Sequence, residues 1–206
     1  MPRAIALVAN SFATNMARAA LHHDGIALDE VTLISGRKLA DTWVRDCGGF
    51  LQFEKAASLR LLGQLRTLGF YLRAARVLKR ALKDPALEQI YIVNAENILM
   101  SHALRFAERH PRVRLTVLVE GNMNFQPMTP RNRTWWRWWL RPVAAALFGL
   151  SYRKPAGHLS GAFAPRVDRV ISYSARHLQA PAGKIEVLAI PPVTPERLTP
   201  RAHSGD

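Results

Sequence analysis

The chain reads as an α/β protein, a Rossmann-like parallel sheet flanked by helices. Three observations predict it. Short apolar runs recur at 4–9, 31–34, 90–93 and 113–119. Each stops at polar residues or glycine: Asn10-Ser11, Ser35-Gly36, Asn94 and Glu120-Gly121. Segments of helical character lie between several of them. Runs this short suit strands, and strands alternating with helices build βαβ units on a parallel sheet.

The elements follow in order. The run at 4–9 is the first strand, and a helix is expected from about Thr14 to His22. The second strand, 31–34, is followed by a long helical region at 55–83. That region holds eight basic residues and no acidic one. Leu61, Leu65, Leu68, Leu72 and Ala75 recur at i, i+4, i+7, i+11 and i+14, a single apolar stripe. The stripe predicts a core-facing helix whose basic back is either simply solvated or a face for an anionic partner. A strand at 90–93, a helix from about Asn97 to His110 and a strand at 113–119 come next. Strands are also expected at 167–173 and 185–190. Residues 1–190 are therefore read as one domain, and the proline-rich 191–206 as a linker or disordered tail.

Residues 135–150 concentrate four of the five tryptophans: Trp135, Trp136, Trp138 and Trp139, with Arg137 and Arg141 between and after them. A spanning helix needs ~20 mostly apolar residues. Arg137, Arg141 and Pro142 interrupt this stretch, so it is not expected to span. Two readings stand: a helix with its aromatics buried, or a membrane-interface segment in which these six residues touch lipid.

The net charge of +14, from 29 basic against 15 acidic residues, attracts anions. Nucleic acid, an anionic lipid leaflet, a sugar nucleotide and an acidic glycan all qualify. With 49% hydrophobic residues the chain can form a good core. Cys47 is the sole cysteine, which excludes an internal disulfide and suits a reducing compartment. It reads as a small buried hydrophobe, and no metal-ligand spacing is present. The N-terminus shows no secretory signal pattern.

The most informative local sequence is Leu118-Val119-Glu120-Gly121-Asn122-Met123-Asn124-Phe125. A carboxylate at the end of a hydrophobic strand is held rigidly, yet faces the crevice where ligands of such sheets bind. The following glycine permits a sharp turn and close approach of a substrate. A general base needs that placement. The alternative reading is a glutamate that only caps the next turn. Val119-Glu120-Gly121 resembles the acidic-acidic-glycine motif of two-domain, GT-B type bacterial sialyltransferases, with its first acidic position lost. Gly121-Asn122-Met123-Asn124-Phe125 is similar to the Gly-x-x-Asn-aromatic extension of the polysialyltransferase-like and lipooligosaccharide sialyltransferase-like families. The loop Gly157-His158-Leu159-Ser160-Gly161 also resembles a loop of these proteins. The likeness spans roughly residues 3–192.

The resemblance implies an N-terminal, acceptor-side domain with Glu120 as catalytic base. It implies CMP-sialic acid as donor substrate, an anionic glycan acceptor, and no cofactor or metal. Asn10, Ser11, Asn94, Gly121, Asn124, His158 and Ser160 are the candidate substrate-binding residues; Asn10, Ser11 and Asn94 read equally as turn or helix-cap residues. The implied setting is capsule or lipooligosaccharide synthesis in the cytoplasm, on the inner face of the membrane. The family's His-Pro pair, which contacts the CMP phosphate, follows the base in sequence. The sole His-Pro here, His110-Pro111, precedes Glu120 and reads as a helix end. The donor-binding half is therefore expected to be absent, and the chain to be truncated or inactive alone. Two other classes compete: a nucleic-acid-binding module, which the charge favours but no finger, RNP or helix-turn-helix pattern supports, and a non-catalytic basic membrane-surface protein.

Overall fold

A computed structural model describes residues 2–36, 39, 42–53, 60–93, 95, 97–119, 135–153, 161–162, 164–172 and 184–187, with 60–66, 135–139 and 185–187 given by backbone alone. Seven strands form one sheet: β1 (Ala4–Val8), β2 (Val31–Ser35), β3 (Gly49–Gln52), β4 (Gln89–Ile92), β5 (Arg114–Val119), β6 (Arg169–Ser172) and β7 (Ile185–Val187). Their order is β3-β2-β1-β4-β5-β6-β7, and every neighbouring pair is parallel. Four α-helices accompany them: α1 (Ser11–His23), α2 (Arg60–Leu82), α3 (Ile98–Arg109) and α4 (Trp135–Leu147). The predicted α/β Rossmann-like sheet is the observed one.

All residues of β1, β2 and β4 are buried, as are all of β5 after Arg114. An alternating strand would leave one face wet, so both faces are covered, as parallel sheets require. Helix α1 packs on β1 and β5, and α3 packs on β4 and β5 and against α2. The register places Ala4 beside Gln89 and Ala6 beside Tyr91. Small residues in β1 thus leave room for the long side chains of β4. Buried Ala13, Ala17 and Ala20 give α1 a correspondingly smooth face.

The amino edge of the sheet is stitched by a polar cluster around Asp24, the C-cap of α1. Tyr91, fully buried, donates its hydroxyl to Asp24 Oδ2 at 2.5 Å. Gln89 donates to the same oxygen at 3.3 Å and to Thr116 Oγ1 at 3.0 Å. Arg169 grips the carboxylate with both terminal nitrogens, one at 2.8 Å to Oδ1 and the other to Oδ2. One aspartate thus fastens α1 to β4 and β6. Burial pushes its carboxyl up, but the hydrogen bonds from Arg169, Tyr91 and His23 and the charge of Arg169 outweigh it and hold the pKa below the ordinary value. Burial and the Asp24 carboxylate raise the Tyr91 phenol, which stays protonated.

Three differences from the sequence reading have physical causes. Strand β3 was not expected. It is a short outer strand beginning at a glycine, and all its residues are only half-buried, so its hydrophobic signal is weak. Helix α1 begins at Ser11, not near Thr14, because Asn10 caps it: Asn10 Oδ1 accepts from Ala13 N at 2.9 Å. In α2 the core line is not the leucine stripe. Phe70, Ala74, Leu78 and Ala81 are buried, whereas Leu68 and Leu72 are 46% and 37% exposed. Ala75 is buried as expected. The alanines let α2 sit close to its neighbours, and close packing outweighs the larger hydrophobicity of the leucines.

Cys47 is buried, and burial, with Asp46 adding, pushes its thiol up to about 11. It is a core side chain held as the neutral thiol, not an activated nucleophile. His110 caps the C-terminus of α3 and stacks on Phe106, so His110-Pro111 ends that helix as predicted. The tail at 191–206 lies outside the described residues.

Candidate functional site

Because the strands are parallel, every carboxyl end lies at one edge of the sheet. The chain reverses its direction of travel between β1 and β4: β1 leads outward to β2 and β3, and β4 leads the other way to β5, β6 and β7. In α/β sheets such a switch point, at the carboxyl ends of the strands, is the position where ligands bind.

Registers fix the rungs at this edge. Leu7 is level with Ile92, and Ile92 with Val117. Leu7 and Val117 therefore share a rung, separated by two strand spacings, about 10 Å. Ser172 of β6 pairs with Val119. Ala9 immediately precedes Asn10, and Val119 immediately precedes Glu120. Glu120, Gly121, Asn124 and Asn94 themselves lie outside the described residues, as do His158 and Ser160.

Asn10 and Ser11 are at the edge, at the junction of β1 and α1. Besides its side-chain cap, Asn10 accepts through its carbonyl from the backbone N–H of Thr14 at 3.0 Å and from Thr14 Oγ1 at 2.8 Å. Its role here is to set the direction of α1. Ser11 is the first residue of that helix. Asn97 does for α3 what Asn10 does for α1, accepting from Leu99 N at 2.9 Å. The two helices following β1 and β4 therefore start at the switch point, and neither has an acidic residue in its first turn. Their dipoles put two positive helix ends at the switch point.

The segment after α4 reaches the same edge. Ser151 donates its backbone N–H to His102 Nδ1 at 3.0 Å. Nδ1 is thus an acceptor, and the ring carries its proton on Nε2. Burial, with Lys79 and Arg109 adding, lowers the His102 pKa, so the ring is neutral near pH 7. One turn of the chain later, Arg153 N donates to Ser101 Oγ at 3.0 Å, and Ser101 Oγ donates to the Arg153 carbonyl at 3.1 Å. Gly161 then packs on Ala95, three residues beyond β4. Its φ of +74° is left-handed, and a Cβ there would come within 2.5 Å of Ala95 Cβ. Only glycine fits. The last residue of the loop Gly157-His158-Leu159-Ser160-Gly161 is thereby held at the carboxyl end of β4.

The edge also contains residues the sequence reading passed over. Ser35 is fully buried at the end of β2, and its carbonyl accepts from Phe53 N at 3.0 Å. Ser172 ends β6 and is 4% exposed. A strand-terminal serine carries little sequence signal, because serine is equally common in turns. Asn97 had one: it directly precedes an apolar helical repeat.

The six residues expected to touch lipid lie in α4. Arg141 is half-buried, and the side chains of Trp135, Trp136, Arg137, Trp138 and Trp139 are outside the described residues. No described helix is long and apolar enough to cross a membrane. No protein-family model and no curated protein matches the chain.

Proposed function

We propose that the protein is a glycosyltransferase of the sialyltransferase type, with Glu120 as the base that activates an acceptor hydroxyl. The observation that carries the reading is the strand order. It puts β5, whose last residue precedes Glu120, next to β4 and two strands from β1, with the first turns of α1 and α3 at the switch point. Such helix starts suit an anionic sugar or its phosphate. The Gly121-Asn122-Met123-Asn124-Phe125 resemblance supplies the chemistry.

In this reading Glu120 takes the proton of the acceptor hydroxyl. The resulting oxygen attacks the anomeric carbon of CMP-sialic acid. The bond from that carbon to the phosphate oxygen breaks, CMP departs with the electron pair, and the configuration inverts. The leaving phosphate gains charge, so positive ends of helix dipoles and cationic side chains near it lower the barrier.

The test is sialic acid transfer from CMP-sialic acid to a sialylated oligosaccharide, using the protein expressed from its natural reading frame, with and without EDTA. The expected result is a lengthened glycan in both conditions. No transfer together with no calorimetric binding of CMP or CMP-sialic acid contradicts the reading. Transfer abolished by EDTA contradicts its metal-independent form. A second reading, a non-catalytic basic surface protein, draws on one observation, the exposed aliphatic line of α4 described next.

A further inference from the structure

Helix α2 meets the chain just past the end of α4. Tyr71 stacks on Phe148 with ring centroids 5.6 Å apart and an interplanar angle of 23°. Lys79 Nζ donates to the Phe148 carbonyl at 3.2 Å. Beyond this contact both helices present aliphatic side chains to solvent. Leu140, Val143 and Leu147 are 56%, 59% and 77% exposed. They recur at i, i+3 and i+7, one line along α4, while Ala145 on the opposite side is fully buried. On α2, Leu68 and Leu72 recur with Lys79 at i, i+4 and i+11. Lys79 reaches Phe148, the residue after α4, so the two leucines lie on the side of α2 that carries this contact. This is the line the sequence assigned to the core.

The charge on the same face is one-sided. Neither α2 nor α4 contains an aspartate or glutamate. Arg73, Arg76 and Arg80 are exposed on α2, and Arg76 is the i+4 neighbour of Leu72. The occupant of such a face must supply both an apolar phase and negative charge. A second copy of the chain would bring two acid-free, arginine-bearing faces together. A nucleic acid offers phosphates but no apolar phase for Leu140, Val143 and Leu147. An anionic bilayer surface offers both.

We propose that the α2–α4 face docks on an anionic lipid surface. Leu140, Val143 and Leu147 enter the headgroup–acyl boundary, with Leu68 and Leu72 at its margin, and Arg73, Arg76 and Arg80 lie against the headgroups. Helix α4 then lies in the plane of the interface. The inference stands independently of glycosyl transfer.

Vesicle flotation tests it, comparing phosphatidylcholine alone with phosphatidylcholine containing phosphatidylserine. The protein is expected to float with the anionic vesicles and to stay behind with the neutral ones. Replacing Arg73, Arg76 and Arg80 together by Gln should weaken partition about 100-fold. Replacing Leu140, Val143 and Leu147 together by Ser should weaken it roughly 100-fold, with circular dichroism and the urea midpoint unchanged, since these positions touch solvent. If that triple variant does not fold, Leu147→Ser alone should still lower partition roughly tenfold. Four results overturn the proposal: equal binding to both vesicle types or none to either; variants that fold and bind like wild type; a dimer in sedimentation that the serine variant dissolves; and tight binding to duplex DNA without binding to vesicles.

Discussion

Replacing Glu120 with glutamine is expected to lower the turnover of sialyl transfer by roughly 10²–10⁴-fold, the usual range for losing a general base. Glutamine keeps the size of glutamate and still hydrogen-bonds, but it cannot take the proton of the acceptor hydroxyl. The loss should fall on kcat and leave the donor KM nearly unchanged, because the proton is shared only in the transition state. CMP-sialic acid binding measured by calorimetry should be retained. Strand β5 is buried up to Val119, so the substitution lies at the end of a rigid element and the fold should persist. A Glu120→Gln protein that turns over like wild type would reduce Glu120 to a turn residue.

The second large effect is on stability. Asp24→Ala is expected to cost about 3 kcal/mol, since breaking a buried charge pair strands the remaining partner. Here the change would leave Arg169 and the Tyr91 hydroxyl without their shared acceptor. That is a large share of the roughly 5–15 kcal/mol available to a domain, and it should be visible as a lower urea midpoint. Asp24→Asn should cost less, because its oxygen still accepts from Tyr91. The pH dependence follows from the sign of the shift. The Asp24 carboxyl is held below its ordinary value in the fold. Its contribution is therefore full above the unfolded carboxylate pKa of about 4 and is lost as pH falls through the folded value. The wild-type midpoint should fall more steeply below about pH 4 than that of Asp24→Asn. Equal midpoints for wild type and Asp24→Ala at pH 7 would show that the cluster contributes nothing.

The sheet was legible because five of its seven strands are dense apolar runs, or apolar runs broken by few polar residues, ending in turn residues. β7 lies inside the strand expected at 185–190, whose last three residues are outside the described residues, and β3 was not legible, since a glycine-led outer strand half-buried in the fold gives little signal. Asn10 was legible as a strand-end residue with two readings, substrate contact or helix cap, and the coordinates show the cap. The Asp24–Arg169 pair was not legible, because 145 residues separate the partners and only the sheet order joins them. The leucine line of α2 misled for a definite reason. Periodicity finds the most hydrophobic face of a helix, whereas the core here selected the face with alanines, which packs closer. Leu68 and Leu72, left outside, lie on the same side of α2 as Lys79.

The central claim is that ligand chemistry belongs to the carboxyl edge of the sheet, around the ends of β1, β4 and β5. Hydrogen-exchange mass spectrometry measures this most directly, with and without CMP and a sialylated oligosaccharide at saturating concentration. The account predicts slowed exchange in peptides covering 9–12, 93–97 and 119–124, and no change in peptides at the amino edge, 24–27 and 111–114. Protection confined to the amino edge, or none anywhere while binding is detected by calorimetry, would contradict it.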